Sequence, residues 1–481
     1  MKDMNDIHGN LIGGAWLPGD DCRPNVNPSD TRDIVGHYAW AGGAAVDQAV
    51  DAARAAFPAW SAAGPQVRHD LLDAVGTELL ARKDEIGRLL AREEGKTLPE
   101  AVGETARAGQ IFRFFAGEAL RLSGDAQQSV RPGIEVCVTR EPVGVVALIT
   151  PWNFPVAIPA WKTAPALACG NCVVLKPAEL TPGCAHVIAQ LLHKHGCPPG
   201  VFNLVMGSGA AAGEALVSHP GIDAVSFTGS AATGARIAAA CGTLRRKVQL
   251  EMGGKNPMVV LDDADLDTAV QACLNGAFFS TGQRCTASSR LIVQKGIHDA
   301  FVESLCRGMR ALRVGDALDA ASQIGPVVDQ RQLDSNLSYV DLARTEAAEV
   351  VGGERLDPGK PGFYQAPALF LGAANKARTS REEIFGPCAS VIRVEDFDEA
   401  LATANDTEFG LSAGICTGSL KHASEFRRRA EAGMVMVNLP TAGVDYHVPF
   451  GGRKASSLGP REQGRYAAEF YTAVKTAYSQ A

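Results

Sequence analysis

From Val46 to about Trp60, apolar residues return every three or four positions, at Val46, Ala49, Val50, Ala53 and Phe57. That spacing lines one face of a helix, and the pattern continues as long amphipathic helices from Val67 to Leu122. The first quarter therefore reads as mainly helical. Ser123 to Arg140 differs, because a Pro-Gly turn and the alternating run Ile134-Glu135-Val136-Cys137-Val138-Thr139 predict a hairpin. Short apolar runs then alternate with helical stretches. Val143–Ile149 precedes a helix from Ala157, Cys172–Leu175 one from Gly183, Phe202–Val205 one from Ala210, and Ala224–Phe227 one from Ala231. This alternation predicts an α/β fold with a parallel, doubly wound sheet. Such sheets bind ligands beyond the carboxyl ends of their strands, so the loops after Ile149, Leu175, Val205 and Phe227 should converge on one, by default a nucleotide.

A second α/β region starts near Glu251, with strand Met258–Leu261, a helix from about Leu266 to Phe279, strand Arg290–Val293 and further alternation to Val437. It is expected to form its own domain. The tail from Asn438 is rich in Gly and aromatics, then reads as a short helix around Arg465 and a final strand Thr472–Tyr478, an edge that invites a partner subunit. No internal repeat or low-complexity linker interrupts the chain.

The 481 residues exceed the roughly 250–300 at which one core stops growing, consistent with two or more domains. A net charge of −7 argues against nucleic acid or an anionic membrane as partner. The basic cluster Arg427-Arg428-Arg429 reads as a solvated helix face. Met1 to Asn10 is polar, without the apolar core of a signal peptide, and no run approaches the ~18 apolar residues of a membrane span. The cytoplasm is the expected compartment. The twelve cysteines follow no regular spacing, and most read as core fillers with free thiols, among them Cys169, Cys172, Cys273 and Cys388. No metal is expected.

Cys285 follows Ser-Thr-Gly-Gln-Arg at the end of an apolar helix, in a loop beside a cation that can lower a thiol's pKa. From residue type alone, a buried structural cysteine is the commoner reading. Glu251 ends a strand before Met and two glycines, which leave backbone room at a domain junction, although an ordinary surface glutamate fits as well. Asn153 lies between Trp152 and Phe154 after a buried strand. It is either a turn former or a donor to an oxyanion together with the N–H of Cys285. Gly207-Ser-Gly209 with Gly213 is a weak dinucleotide fingerprint, one residue too long. Gly229-Ser230, at the N-terminus of the helix from Ala231, is a better phosphate site, and Ser230 also serves as N-cap.

Seven segments carry a resemblance: Ile149-Thr-Pro-Trp-Asn-Phe-Pro155, Lys176-Pro-Ala-Glu179, Phe227-Thr-Gly-Ser230 with Gly234, Leu250-Glu-Met-Gly-Gly254, Gly282-Gln-Arg-Cys-Thr286, Glu383-Ile-Phe-Gly-Pro387 and Pro449-Phe-Gly-Gly452. In this order and spacing the chain resembles the aldehyde dehydrogenase superfamily along essentially its whole length. The resemblance implies a Rossmann-type cofactor domain, an α/β catalytic domain and a small oligomerisation hairpin and tail. The boundaries would be residues 1–122 and 141–250 for the dinucleotide domain, 251–438 for the catalytic domain, and 123–140 with 439–481 for the oligomerisation segments. It implies that Cys285 attacks an aldehyde to give a thiohemiacetal, that Glu251 activates water against the thioester, and that Asn153 stabilises the oxyanion. Burial would raise the Glu251 pKa toward neutrality. Lys162 would sit near the acyl pocket as part of a proton path, or is a solvated helix lysine.

For the cofactor, NAD with NADP admitted, the resemblance implies Ile149, Pro151, Trp152, Gly209, Gly229, Ser230 and Gly234, with Lys176 and Glu179 on the adenosine ribose. Glu383 and Phe385 would hold the nicotinamide ribose, or are a capping acid and a core aromatic, and Phe450 would lie at the same end. The tail from Val437 to Lys454 and Gly459-Pro-Arg-Glu-Gln-Gly464 resembles bacterial α-ketoglutarate semialdehyde (2,5-dioxopentanoate) dehydrogenases. Phe154, Thr441 and Arg284 are the substrate candidates, with Arg284 best placed to hold a distal carboxylate and Arg113 or Arg121 as alternatives. Succinate semialdehyde and aromatic or aliphatic aldehydes share the scaffold. A non-catalytic nucleotide-binding protein or a coenzyme A-dependent variant are rivals that the presence of both Cys285 and Glu251 disfavours. A homodimer or homotetramer is expected.

Overall fold

The computed structural model describes residues 7–19, 21–346 and 349–480, so the N-terminal stretch read as polar is described only from Ile7. The first quarter is mainly helical, as its periodicity implied, and its helices are preceded by five strands between Ile7 and Trp40 that the pattern did not mark. They are too short and irregular for a period-two pattern to register. The long helices are present as Gly43–Ala62, Pro65–Ala81, Lys83–Glu94 and Leu98–Ala119. The last begins at Thr97, whose side chain and that of Glu100 form a capping box that satisfies the first free N–H groups.

The predicted parallel strands form the middle of an eight-stranded sheet, in the spatial order Phe202–Leu204, Cys172–Lys176, Val145–Ile149, Ala224–Thr228, Lys247–Glu251. All five residues of Val145–Ile149 are buried, as a strand covered on both faces requires. Chain order therefore runs outward in both directions from Val145–Ile149, and the crevice beside that strand is the natural ligand site. One edge carries the antiparallel pair Asn10–Ile12 and Ala15–Leu17, and the other the late strand Ser457–Leu458, paired with Leu250 and Glu251.

A second, seven-stranded sheet is parallel except for Glu349–Gly352 at its edge, and Asn256–Val260, Ser288–Gln294 and Cys388–Val394 lie within it. Its apolar clusters are separate from the core of the first sheet. The hairpin is Asp125–Gln128 with Ile134–Pro142, and the C-terminal strand Thr472–Gln480 pairs along Ile134–Pro142 from Thr472↔Pro142 to Gln480↔Ile134. No local pattern announces a pairing between segments so far apart in sequence. Among the described residues no helix is long and apolar enough to cross a membrane.

Candidate active site

Cys285 sits in the loop between helix Leu266–Phe278 and strand Ser288–Gln294. Three consecutive residues there, Ser280, Thr281 and Gly282, have left-handed φ of 51°, 57° and 65°. Glycine is required at Gly282, because a Cβ would lie 2.1 Å from the carbonyl oxygen of Gly386. The two non-glycine residues are held by hydrogen bonds: Ser280 N and Oγ donate to Glu100 Oε1 at 2.9 and 3.0 Å, and Thr281 Oγ1 to the Gly325 carbonyl at 3.1 Å. Strain is thus sustained where the nucleophile must be aimed. Asn153 is buried, and its Nδ2 donates to the carbonyl of Gln283 at 3.1 Å. That bond ties it two residues from Cys285 and uses only one of its two N–H groups.

The cation beside Cys285 is not turned toward it. Arg284 Nη2 donates to Glu100 Oε1 at 3.0 Å and Nη1 reaches Asn275 at 3.5 Å. Burial, then the carboxylates of Glu383 and Glu251, push the half-buried Cys285 thiol up to about 12. The expected thiolate activation by Arg284 is therefore corrected, since its guanidinium is turned to Glu100 and does not offset the burial and carboxylates that act on the sulfur.

Glu251, at the end of strand Lys247–Glu251, is buried. Its pKa lies well above the usual carboxylate range, first from burial and then from the charge of Glu462, while Ser457, Lys162 and Arg461 oppose the rise. Ser457 Oγ donates to Glu251 Oε2 at 2.5 Å and accepts from Gly452 N at 2.7 Å. Gly451, with φ 145°, leaves room, because a Cβ there would lie 2.7 Å from Glu251 Oε1. Lys162 is fully buried, so it is no solvated lysine. It donates to Ser226 Oγ at 2.7 Å and pairs with Glu462 Oε1, placing it behind Glu251 rather than on the acyl pocket wall.

Cys285 opens on a pocket of about 350 Å³ whose walls include Phe154, Trp161, Phe450, Arg107, Arg284 and Val444. Phe450, expected at the cofactor, belongs to this pocket, 5.6 Å from Trp161 between ring centroids. Thr441 is fully buried. Its Oγ1 donates to the Thr286 carbonyl at 2.6 Å and bonds Ser288 Oγ, so it braces the nucleophile loop while Ala442, Gly443 and Val444 face the pocket. Arg113 and Arg121 are excluded as carboxylate partners of this pocket by exposed ion pairs with Asp73 and Glu118.

The second cleft, about 460 Å³, lies at the carboxyl ends of the first sheet. Ile149, Pro151, Trp152, Lys176, Glu179, Gly209, Gly229 and Ser230 all line it, as the sequence implied. The groups there fit a dinucleotide. Thr150 and Thr228 present buried hydroxyls without a partner on its wall. Ser230 caps the helix Ala231–Thr243, whose N-terminus favours phosphate. Glu179 Oε1 accepts from Gly209 N at 2.6 Å. Gly234 has a different task from the one expected, because a Cβ would meet Met252 Sδ at 2.3 Å, so it lets helix and strand end pack. Glu383 and Phe385 line a separate recess. Glu383 Oε1 accepts from Gly254 N at 2.9 Å, and Phe385 meets Trp152 edge to face at 5.4 Å, linking recess to cleft. Burial raises Glu383 to about 7.

Sequence reasoning missed the supports. Glu100 joins a helix cap, the nucleophile loop and Arg284, and only its place three residues after Thr97 was a signal. Buried Lys96 bridges Glu104 at 2.6 Å and the Asn153 carbonyl at 2.7 Å, while Glu104 accepts from Val156 N and Ala157 N. No local pattern marks Glu462, Ser457 or Arg107.

Comparison with known proteins agrees with this geometry. The profile of the aldehyde dehydrogenase family matches residues 16–477. The α-ketoglutaric semialdehyde dehydrogenase of Bacillus subtilis (strain 168) is 45% identical over 475 residues, 98% of this chain and 97% of the relative. The 2,5-dioxopentanoate dehydrogenase of Saccharolobus solfataricus is 39% identical over 471 residues, 97% of this chain and 98% of its own. The crystal structure of betaine aldehyde dehydrogenase from Staphylococcus aureus in complex with NAD+ superposes with a TM-score of 0.96 at 32% identity, covering 98% of this chain and 95% of that one.

Proposed function

The chain belongs to the aldehyde dehydrogenase family, and from that premise we propose that it oxidises a short semialdehyde with a distal carboxylate, α-ketoglutarate semialdehyde in the first place, to the acid. The observation that carries the reading is the pocket holding Cys285 together with two arginines, in a chain matched over its length to enzymes named for that aldehyde. Cys285 gives its thiol proton to water, and the thiolate Sγ adds to the aldehyde carbon as the C=O π bond opens onto the oxygen. The second Nδ2 hydrogen of Asn153 and the Cys285 N–H are the donors available to the oxygen that becomes negative. When bound, a nicotinamide dinucleotide, NAD or NADP, would supply the hydride acceptor that the oxidation of this carbon needs. The thioester left on Cys285 is hydrolysed by water that gives its proton to Glu251, whose raised pKa suits a base working near neutrality. Glu462 and Lys162, a buried ion pair whose charges act on Glu251, would relay that proton. Lys176, Glu179, Ser230 and the helix from Ala231 would hold the adenosine and phosphate end, and Trp152, Glu383 and Phe385 the nicotinamide end.

The same reading assigns residues 1–122 and 141–250 to dinucleotide binding and 251–438 to catalysis, with 123–140 and 439–481 joining subunits. Val474 and Tyr478 are exposed on the terminal strand, which supports a homodimer or homotetramer. Twelve unpaired cysteines fit a reducing, cytoplasmic compartment. The test is a panel of aldehydes assayed with each dinucleotide. The highest kcat/KM is expected for 2,5-dioxopentanoate. Equal or better turnover of uncharged aldehydes of the same length would overturn the substrate assignment.

A further inference from the structure

Two arginines face the pocket, and their surroundings differ. Arg284 already has a carboxylate, that of Glu100, at 3.0 Å. Arg107, on helix Leu98–Ala119, makes no ion pair among the described residues. Its Nη2 donates to Gln463 Oε1 at 3.0 Å, its Nε is buried without an acceptor, and its Cζ stands 5.7 Å from the centroid of Trp161. Gln463 is fully buried, and its own Nε2 also lacks an acceptor. Leaving buried donors unsatisfied is costly, more so when the group is charged, so Arg107 on the pocket wall, with the unsatisfied amide of Gln463 behind it, is a receptor for an anion. The charge has neighbours without contact: Glu104 and Asp445 favour it, burial opposes it, and Cys285 is close enough to be felt. An aliphatic chain fits between Cys285 and Arg107, since Phe154, Trp161, Phe450 and Val444 supply apolar wall.

We propose that Arg107, oriented by Gln463 and the face of Trp161, is the residue that receives the distal carboxylate of the substrate, while Arg284 serves the loop through Glu100. This rests on the semialdehyde reading above and names the residue that enforces it. Gln463 acts as a positioning residue, through its hold on the guanidinium.

The experiment compares kcat/KM for 2,5-dioxopentanoate and for pentanal, an uncharged aldehyde of equal length, in wild type, Arg107→Leu, Arg107→Lys, Gln463→Leu and Arg284→Leu. Arg107→Leu is expected to lose about 30-fold or more on the charged substrate, mainly through KM, which is about 2 kcal/mol at ~1.4 per decade, and less than about threefold on pentanal. Arg107→Lys should recover part of the loss, and Gln463→Leu should show a smaller loss of the same selectivity. Retained pentanal turnover shows that the variants fold. Equal losses on both aldehydes in Arg107→Leu, or a selective loss in Arg284→Leu instead, would overturn the assignment to Arg107 while leaving the substrate reading intact. A wild type that does not prefer the charged aldehyde would overturn the substrate reading, and this inference with it.

Discussion

Replacing Ser457 by alanine removes a hydroxyl engaged on both sides, by Gly452 N and by the Glu251 carboxylate. The bond to Glu251 favours its ionised form and opposes the burial and the Glu462 charge that raise its pKa. A hydrogen bond to a charged group contributes about 1.5–3 kcal/mol. Ser457→Ala should therefore lift the Glu251 pKa further, by the equivalent of that bond. In the proposed mechanism Glu251 is the base, so the acidic limb of the thioester-hydrolysis profile should move to higher pH by that amount. Below the limb, turnover should fall about 10–100-fold. Steady-state rates across pH, combined with stopped-flow NADH bursts, measure this. The burst should survive, because forming the thioester does not use this base. A limb that stays in place or moves to lower pH would refute the account of how Glu251 is tuned.

Cys285→Ala should abolish turnover while dinucleotide affinity, measured by calorimetry, stays within about threefold, because the 460 Å³ cleft is built from other residues. Any ordinary turnover by that variant ends the covalent mechanism. Glu251→Gln should give one equivalent of NADH and then stall, and an unchanged steady rate would remove Glu251 from the role of base. Lys255 is buried with no acceptor for its ammonium, and burial, then Arg290, lowers its pKa to about 7. The unfolded chain, with a lysine pKa of about 10.4, binds more protons between those values, so the destabilisation from this group fades as pH rises from about 7 toward 10. Lys255→Met should therefore raise Tm by a few degrees at or below pH 7, with the gain shrinking toward pH 10, and a pH-independent gain would contradict the cause given.

What the sequence determined by itself is what neighbours along the chain can decide. The five strands around Val145–Ile149 and their helices follow from short apolar runs alternating with helical periodicity, and both were legible within a residue or two at most ends. The segments around Cys285, Glu251 and Lys176-Pro-Ala-Glu179 stood out through their order and spacing along the chain, whereas residue type alone favoured a buried structural cysteine at Cys285 and an ordinary surface glutamate at Glu251. The cleft residues Ile149 to Ser230 lie on the loops that strand order brings together. Only the tertiary structure decided which charges meet. Arg284 finds Glu100 across 184 residues, Lys162 finds Glu462 across 300, and Arg107 finds Gln463 across 356. A charge is active, silent or free for a ligand according to its partner and its burial, and no local pattern encodes either. Hence Arg284, beside Cys285 in sequence, is paired with the carboxylate of a helix cap, and Arg107, without an ion pair among the described residues, comes from a helix whose periodicity reported only its apolar face.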